Sequence, residues 1–320
     1  MNKPKTQVTK HENRAGASTG DISVDDLSRK EAVQLGLKRW SFRWPTTLRT
    51  PLGIAGAVII GLWLIIVLAA PVIAPYDPLA QSFSRLSGPS SENWFGTDTL
   101  GRDVFSRVVM ATRVTLPSAL FVVFCSALLG SVLGAIAGYF GKVVDEIIMR
   151  VADLVFAFPT IILAMVIAAV LGPGLKNAII AILLVTWPSY ARVTRSLVMS
   201  ARSSEYVVAG RLLGFSARKS LMQDIAPNVV SPVLVLATLE VGAAILTMAG
   251  LSFLSLGAIP PAPDWGAMIS EGVNQFAAWW IALFPGLCIL TVVMAFNFLG
   301  DSLRDALDPH TSKSIERQAS

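Results

Sequence analysis

The feature that most constrains this 320-residue chain is a series of long stretches without a single charge. Leu52–Pro75 runs for 24 residues and Val114–Gly141 for 28 residues without Asp, Glu, Lys or Arg. About 20 apolar residues suffice for a helix to cross roughly 30 Å of hydrocarbon. Lipid offers no hydrogen bonds, so a crossing segment must satisfy its own backbone, and uninterrupted runs of this kind read as helices. A third run, Leu154–Leu175, ends in a tight reversal at Gly172, Pro173 and Gly174. The fourth, Asn177–Ala191, has only 15 residues, and Arg192 and Arg195 extend it by snorkelling to the headgroups. The fifth spans Val229–Gly257, broken only by Glu240, and the sixth covers Ala277–Leu299. The expectation is an all-α polytopic membrane protein with six transmembrane helices, at about 52–75, 114–138, 154–173, 177–198, 229–257 and 277–299.

The charges that remain say which side is which. Only 15% of the residues are charged, against roughly 25% in soluble domains, and the formal net charge is +5. If both termini face the cytoplasm, cytoplasmic segments hold 21 of the 26 Lys and Arg and outer segments hold 5. That bias predicts an N-in, C-in topology, and it places the basic residues by topology rather than by a nucleic-acid partner. The chain then divides into a cytoplasmic tail (1–51), a first span (52–75), a periplasmic segment (76–112), a core with five spans (113–301) and a cytoplasmic tail (302–320). The tail is too long for the n-region of a signal peptide, and the run after it too long for an h-region, so the first span is expected to stay uncleaved. Trp40 and Trp44 mark an interfacial belt before it.

Catalytic chemistry finds no residues to carry it. Cys125 and Cys288 sit inside apolar runs and His11 and His310 in polar tails, so no cluster has metal-ligand spacing. There is no phosphate loop of the G-x-x-x-x-G-K-[ST] kind, no G-x-S-x-G elbow and no H-E-x-x-H helix. A chain of this kind is not an enzyme and binds no cofactor of its own.

Four features remain as functional candidates. Gly130, Gly134 and Gly138 recur at four-residue spacing, which suits close helix–helix packing, although glycine is also generally frequent in membrane helices. Between the fourth and fifth runs, Val207, Val208, Leu212, Leu213 and Phe215 lie among Arg202, Arg211, Arg218 and Lys219. Gly214 breaks that stretch and Pro227 stops it, describing short amphipathic helices outside the bilayer. The Phe95–Arg107 segment offers turns at Gly96 and Gly101 and mutual ion pairs among Asp98, Arg102, Asp103 and Arg107. It reads either as a contact for another protein or as a loop that braces itself. Glu240 is the one acid deep within a run, where a charge costs on the order of 2.5–3.5 kcal/mol. It lines a pathway or an interface, where it could sense cationic groups of a peptide, or it is a protonated carboxyl or makes a packing hydrogen bond.

These segments resemble the type I ABC importer permeases. The 208–227 stretch is similar to their EAA loop, Glu-Ala-Ala, three residues, Gly, nine residues, Ile, one residue, Leu-Pro. The matching positions are Val208, Ala209, Gly210, Gly214, Asp224, Ala226 and Pro227. The Glu, Ile and Leu of the pattern are replaced and Gly210 stands for its second Ala, whereas the glycine and proline spacing is kept. Phe95–Arg107, with Gly96, Thr97, Asp98, Gly101, Arg102 and Asp103, resembles the periplasmic signature of the second permease subunit in dipeptide, oligopeptide and nickel importers. Ala249–Gly257 with Pro260–Gly266, and Leu299–Pro309, do so as well. The resemblance implies the type I importer transmembrane fold and half of a translocation pathway. It also implies that the 205–227 loop docks on an ATPase; Val208 supplies no salt bridge there, the nearby Glu205 could be the charged contact instead, and Phe215 is the position from which a crosslink to the ATPase is expected. The implied partners are a second permease, two ATPase subunits that use ATP and Mg, and a periplasmic or lipid-anchored solute-binding protein, all within the inner membrane's lipid. Dipeptides, longer peptides, nickel, glutathione and opine-like solutes all stay open as cargo. Of the rival classes, an ion-coupled secondary transporter would show intramembrane charges in repeated halves. A membrane-embedded enzyme would need clustered catalytic groups at one membrane face.

Overall fold

The computed structural model describes residues 50–204, 207, 216, 221 and 225–307, all within the unit Pro45–Ser320. Among them the regular elements are all helices: α1 (Pro51–Ile73), α2 (Val104–Phe140), α3 (Lys142–Phe156), α4 (Thr160–Leu171), α5 (Leu175–Arg202), α6 (Ala226–Phe253), α7 (Trp265–Val273), a 3₁₀ turn at Phe276–Ala278, and α8 (Trp280–Leu307).

Each start has a local cause. Thr50 caps α1, its hydroxyl accepting from Gly53 N at 3.1 Å, and Pro51 opens the helix where no N–H is needed. Asp103 caps α2 through Ser106 N at 2.8 Å, so this helix begins ten residues before the charge-free run. Asp264 caps α7 through Ala267 N at 3.0 Å.

Length and apolarity qualify α1, α2, α6 and α8 as spans, and the pair α3 and α4 as a fifth if counted as one. That is fewer than the six expected. α5 has 28 residues, but Lys176, Arg192, Arg195 and Arg202 make it too polar to qualify. The third run also differs from a single straight span. α4 has 12 residues, about 18 Å of helix, and meets α3 at a bend of 92°. Pro159 is the cause, because it lacks the N–H that would continue α3 and drives Phe158 out of helical geometry.

Small residues set the packing. A methyl group on Gly134 would lie 2.9 Å from Ala191 Cα, one on Gly130 2.7 Å from Tyr190 Cβ, and one on Gly138 2.8 Å from the Arg195 carbonyl. The stripe on α2 is therefore a seam against a stripe on α5, and because both series ascend together the two helices run parallel. Gly242 of α6 faces Val293 and Asn297 while Gly300 of α8 faces Leu239, so these two run antiparallel. The same holds for α1 and α8, where Thr50 and Ser302 hydroxyls meet at 2.8 Å and Gly56 abuts the Ala295 carbonyl. In consequence one end of the bundle gathers the 74–103 segment, the α4–α5 turn and the 254–279 segment. The other gathers Thr50, α3, the end of α5, the start of α6 and Ser302.

Buried Trp265 ties α7 into the core. Its Nε1 donates to the Val108 carbonyl at 3.0 Å, and its ring meets Trp63 edge-on at 5.5 Å. Gly266 beside it lets α7 approach the α6 backbone, since a Cβ there would sit 2.8 Å from Ala249 Cα.

Candidate functional site

At the first end, the segment before α2 folds into a knot. Gly96 (φ +74) and Gly101 (φ +76) adopt the left-handed conformation that glycine accepts at little cost. At Gly96 a side chain would collide with the Ser87 carbonyl and Trp280 Nε1, since a Cβ there would lie 2.7 Å from both. Thr97 and Asp103 form an antiparallel bridge. The Thr97 hydroxyl donates to Ser84 O at 2.7 Å and accepts from Ser87 N at 2.8 Å, while Trp280 Nε1 donates to Thr97 O at 3.1 Å.

Asp98, 1% exposed, is the centre of charge. Its Oδ1 accepts from Leu100 N and Arg102 N, both at 2.9 Å, and its Oδ2 accepts from Arg102 Nε at 2.6 Å. Arg107 Nε stands 3.4 Å from Oδ2, and its Nη1 donates to Pro78 O at 3.2 Å. Two buried guanidiniums thus share one buried carboxylate, and Glu271 of α7 supplies the missing charge. Glu271 Oε2 lies 3.5 Å from Arg102 Nη2, and its Oε1 accepts from Thr99 N at 3.1 Å and from the Thr99 hydroxyl. Asp103 takes a different part from the ion pairing expected of it: besides capping α2 it accepts from Asn93 Nδ2 at 2.9 Å. Thr97, Asp98, Arg102 and Asp103 are all buried, so of the two readings of this loop their side chains serve the bracing one. Nearby, burial pushes the Asp264 carboxyl above the usual aspartate range, against hydrogen bonds from Ala267, Ser252 and Gly266 that act the other way.

At the opposite end, Glu205, Val208, Ala209, Gly210, Gly214, Phe215 and Asp224 lie outside the described residues. Their flanks do not. Val207 and Ile225 are buried with Val198, Tyr139 and Val229 in a small apolar cluster, so both ends of this segment are anchored on α2, α5 and α6. Pro227 lies in the first turn of α6, where a missing N–H is harmless. α3 lies on the end of α5 through Asp145, which takes both Nε and Nη2 of Arg195, the latter at 2.6 Å, and through Asp153 with Arg192 at 2.9 Å. Arg192 also covers the Phe156 ring at 4.2 Å.

Between the two ends, Glu240 faces a cavity of about 430 Å³ bounded by α4, α5 and α6. Thr160, Thr186, Ser189 and Thr247 bring hydroxyls to it, and Ile161, Val185, Ala243 and Ala244 complete the wall. The sequence singled out Glu240 but none of these hydroxyls, which are ordinary helix residues until three helices converge. Glu271 was missed for a similar reason, since its partner Thr99 lies 172 residues away along the chain. No group of acidic, His or Cys side chains able to hold a metal is found among the described residues.

Residues 130–313 match the family described as binding-protein-dependent transport system inner membrane component, and residues 40–89 match the N-terminal TM domain of oligopeptide transport permease C. The chain belongs to this family of permeases. It is 43% identical over 273 residues to the dipeptide transport system permease protein DppC of Alkalihalophilus pseudofirmus, covering 84% of this chain and 90% of that one. It is 40% identical over 273 residues to the glutathione transport system permease protein GsiD of Pectobacterium atrosepticum, covering 84% and 91%. The nickel transport system permease protein NikC of Escherichia coli is 46% identical over 255 residues, covering 79% and 92%. As an inner membrane component of importers, the permease is a multi-pass membrane protein. The two family matches leave residues 90–129 between them, and the Asp98 knot falls there, while the Glu240 cavity and the 205–227 segment fall inside the second match.

Proposed function

We propose that this permease is one of two membrane-spanning subunits of an ATP-driven importer and forms half of its translocation pathway for di- or oligopeptides. The observation that carries this reading is the match to three solute permeases over most of their length and of this chain. Six crossings with both termini in the cytoplasm agree with it. The helix ends alternate between two sides when α3 with α4 is taken as the third crossing and α5 as the fourth, and Lys and Arg concentrate on the side proposed as cytoplasmic.

Energy enters from outside the chain, because it carries no phosphate loop. ATP, with its magnesium, is used by two partner ATPase subunits. Their closure moves the loop around Gly214 and switches the pair of permeases from the inward- to the outward-facing state. Val207 and Ile225, buried on α2, α5 and α6, suit this role because they tie the segment directly to the bundle. A solute-binding protein outside the membrane delivers the cargo. The names of relatives supply dipeptide, glutathione and nickel as cargo classes.

The test is co-expression with the products of neighbouring genes, purification and reconstitution. ATPase subunits should copurify, and uptake into proteoliposomes should require ATP and the binding protein. Uptake by the isolated chain on an ion gradient alone overturns the reading. Phe215→Cys should crosslink to an ATPase subunit, and absence of a crosslink through the whole cycle removes the docking assignment.

A further inference from the structure

The Glu240 cavity is one-sided in charge, with one carboxylate and no cationic side chain in its lining. The Thr247 hydroxyl donates to Ala243 O at 2.8 Å and the Thr186 hydroxyl to Ile182 O at 2.9 Å, so both protons are spent within their own helices. Ser126 Oγ reaches Thr186 Oγ1 at 2.7 Å from behind. What these residues turn to the cavity is oxygen lone pairs. The Glu240 carboxylate adds two further acceptor oxygens, and among the described residues no hydrogen bond or ion pair reaches it. The lining contains no Lys, Arg or His. A volume of about 430 Å³ is far more than one bridging water takes and lies in the range of ligand pockets, roughly 300–1,000 Å³. Thr160 and Ala243 at its rim are exposed, so the cavity is open at the surface of the bundle.

Around that carboxylate the lining offers only neutral hydroxyls and apolar wall, so its charge has one complement: a positively charged group that brings its own protons. We infer that Glu240, with the hydroxyl oxygens of Thr186 and Thr247, forms a transmembrane subsite for the ammonium group of a passing solute. This deepens the proposed function, resting on the reading that the chain lines a pathway, and it names the class of solute that the pathway favours. Selection inside the membrane is thereby added to selection by the binding protein. Solutes with a free amine are held at mid-passage, and those without one find only an uncompensated negative charge.

The test does not depend on knowing the cargo. Ala243→Cys, one helical turn from Glu240, is introduced into the assembled importer with Cys125→Ala and Cys288→Ala. Its modification rate is measured with a trimethylammonium-bearing and a sulfonate-bearing methanethiosulfonate reagent. The cationic reagent should react faster, and Glu240→Gln should lower the cation-to-anion ratio about tenfold, whereas Glu240→Asp should keep it. L-alaninamide, which has an ammonium and no carboxylate, should slow labelling with Glu240 present and not with Glu240→Gln, and N-acetyl-L-alaninamide should have no effect. A ratio unchanged by Glu240→Gln, or equal protection by both amides, overturns the subsite. ATP-driven uptake by the Ala243 parent importer is measured in parallel. Its absence would strike the importer reading, while the labelling ratio and the protection still decide this one.

Discussion

Asp98 and Glu240 are both carboxylates of the same bundle, and they are treated in opposite ways. Asp98 accepts two backbone N–H groups and one guanidinium, with a second guanidinium 3.4 Å away. Glu240 faces open space among neutral hydroxyls, two of which, Thr186 and Thr247, already spend their protons within their own helices. A buried charge that is fully partnered holds a structure in one arrangement, and removing a partner leaves another charge stranded. One left facing a cavity contributes nothing to the fold and is available to something that passes. The difference teaches which acid belongs to the scaffold and which to the traffic, a distinction that the residue type alone does not make.

The comparison breaks most sharply at Asp98. Asp98→Ala strands the buried Arg102 and Arg107 without their shared carboxylate and should lower the stability of the purified protein by about 3–5 kcal/mol. It would be read as a large fall in the temperature at which the protein loses its monodisperse gel-filtration peak. An unchanged temperature would mean that the knot is not structural. Gly134→Leu, on the seam of α2 and α5, should cost about 1–3 kcal/mol by forcing α2 from α5 in the same assay, because a Cβ there already meets the Ala191 backbone. Glu271→Gln keeps an acceptor for Thr99 but removes the charge opposite Arg102, and about 1 kcal/mol is expected. A loss as large as that of Asp98→Ala would move the centre of the knot to α7. Glu240→Gln removes an unpartnered charge and should leave thermal stability unchanged or raise it. A fall comparable to Asp98→Ala would place Glu240 in the scaffold and erase the contrast.

Several of these features were legible in advance because they depend on neighbours in the chain. The apolar runs that became α1, α2, α6 and α8 follow from length and composition. The glycine seam follows from the four-residue spacing of Gly130, Gly134 and Gly138, which puts all three on one helix face. The turns at Gly96 and Gly101, and the pairing of Asp98 with Arg102, lie within a dozen residues of one another. Where the reading differed, the reason is specific. Pro159 breaks what composition presents as one run, since hydropathy does not register a missing N–H. Asp103 has a helix terminus to cap as well as arginines nearby, and the terminus takes it.

By itself the sequence determined that this chain is a multi-pass helical membrane protein of the binding-protein-dependent permease family. Run length, charge distribution and motif spacing are properties of local stretches, and lipid leaves the backbone in them one solution. Only the tertiary structure decided that Glu271 completes the charge of the Asp98 knot, that Gly130, Gly134 and Gly138 face α5, and that Glu240 looks into a hydroxyl-lined cavity. Each of those depends on which helix faces are brought together, and that choice is made by side chains far apart in sequence packing at once.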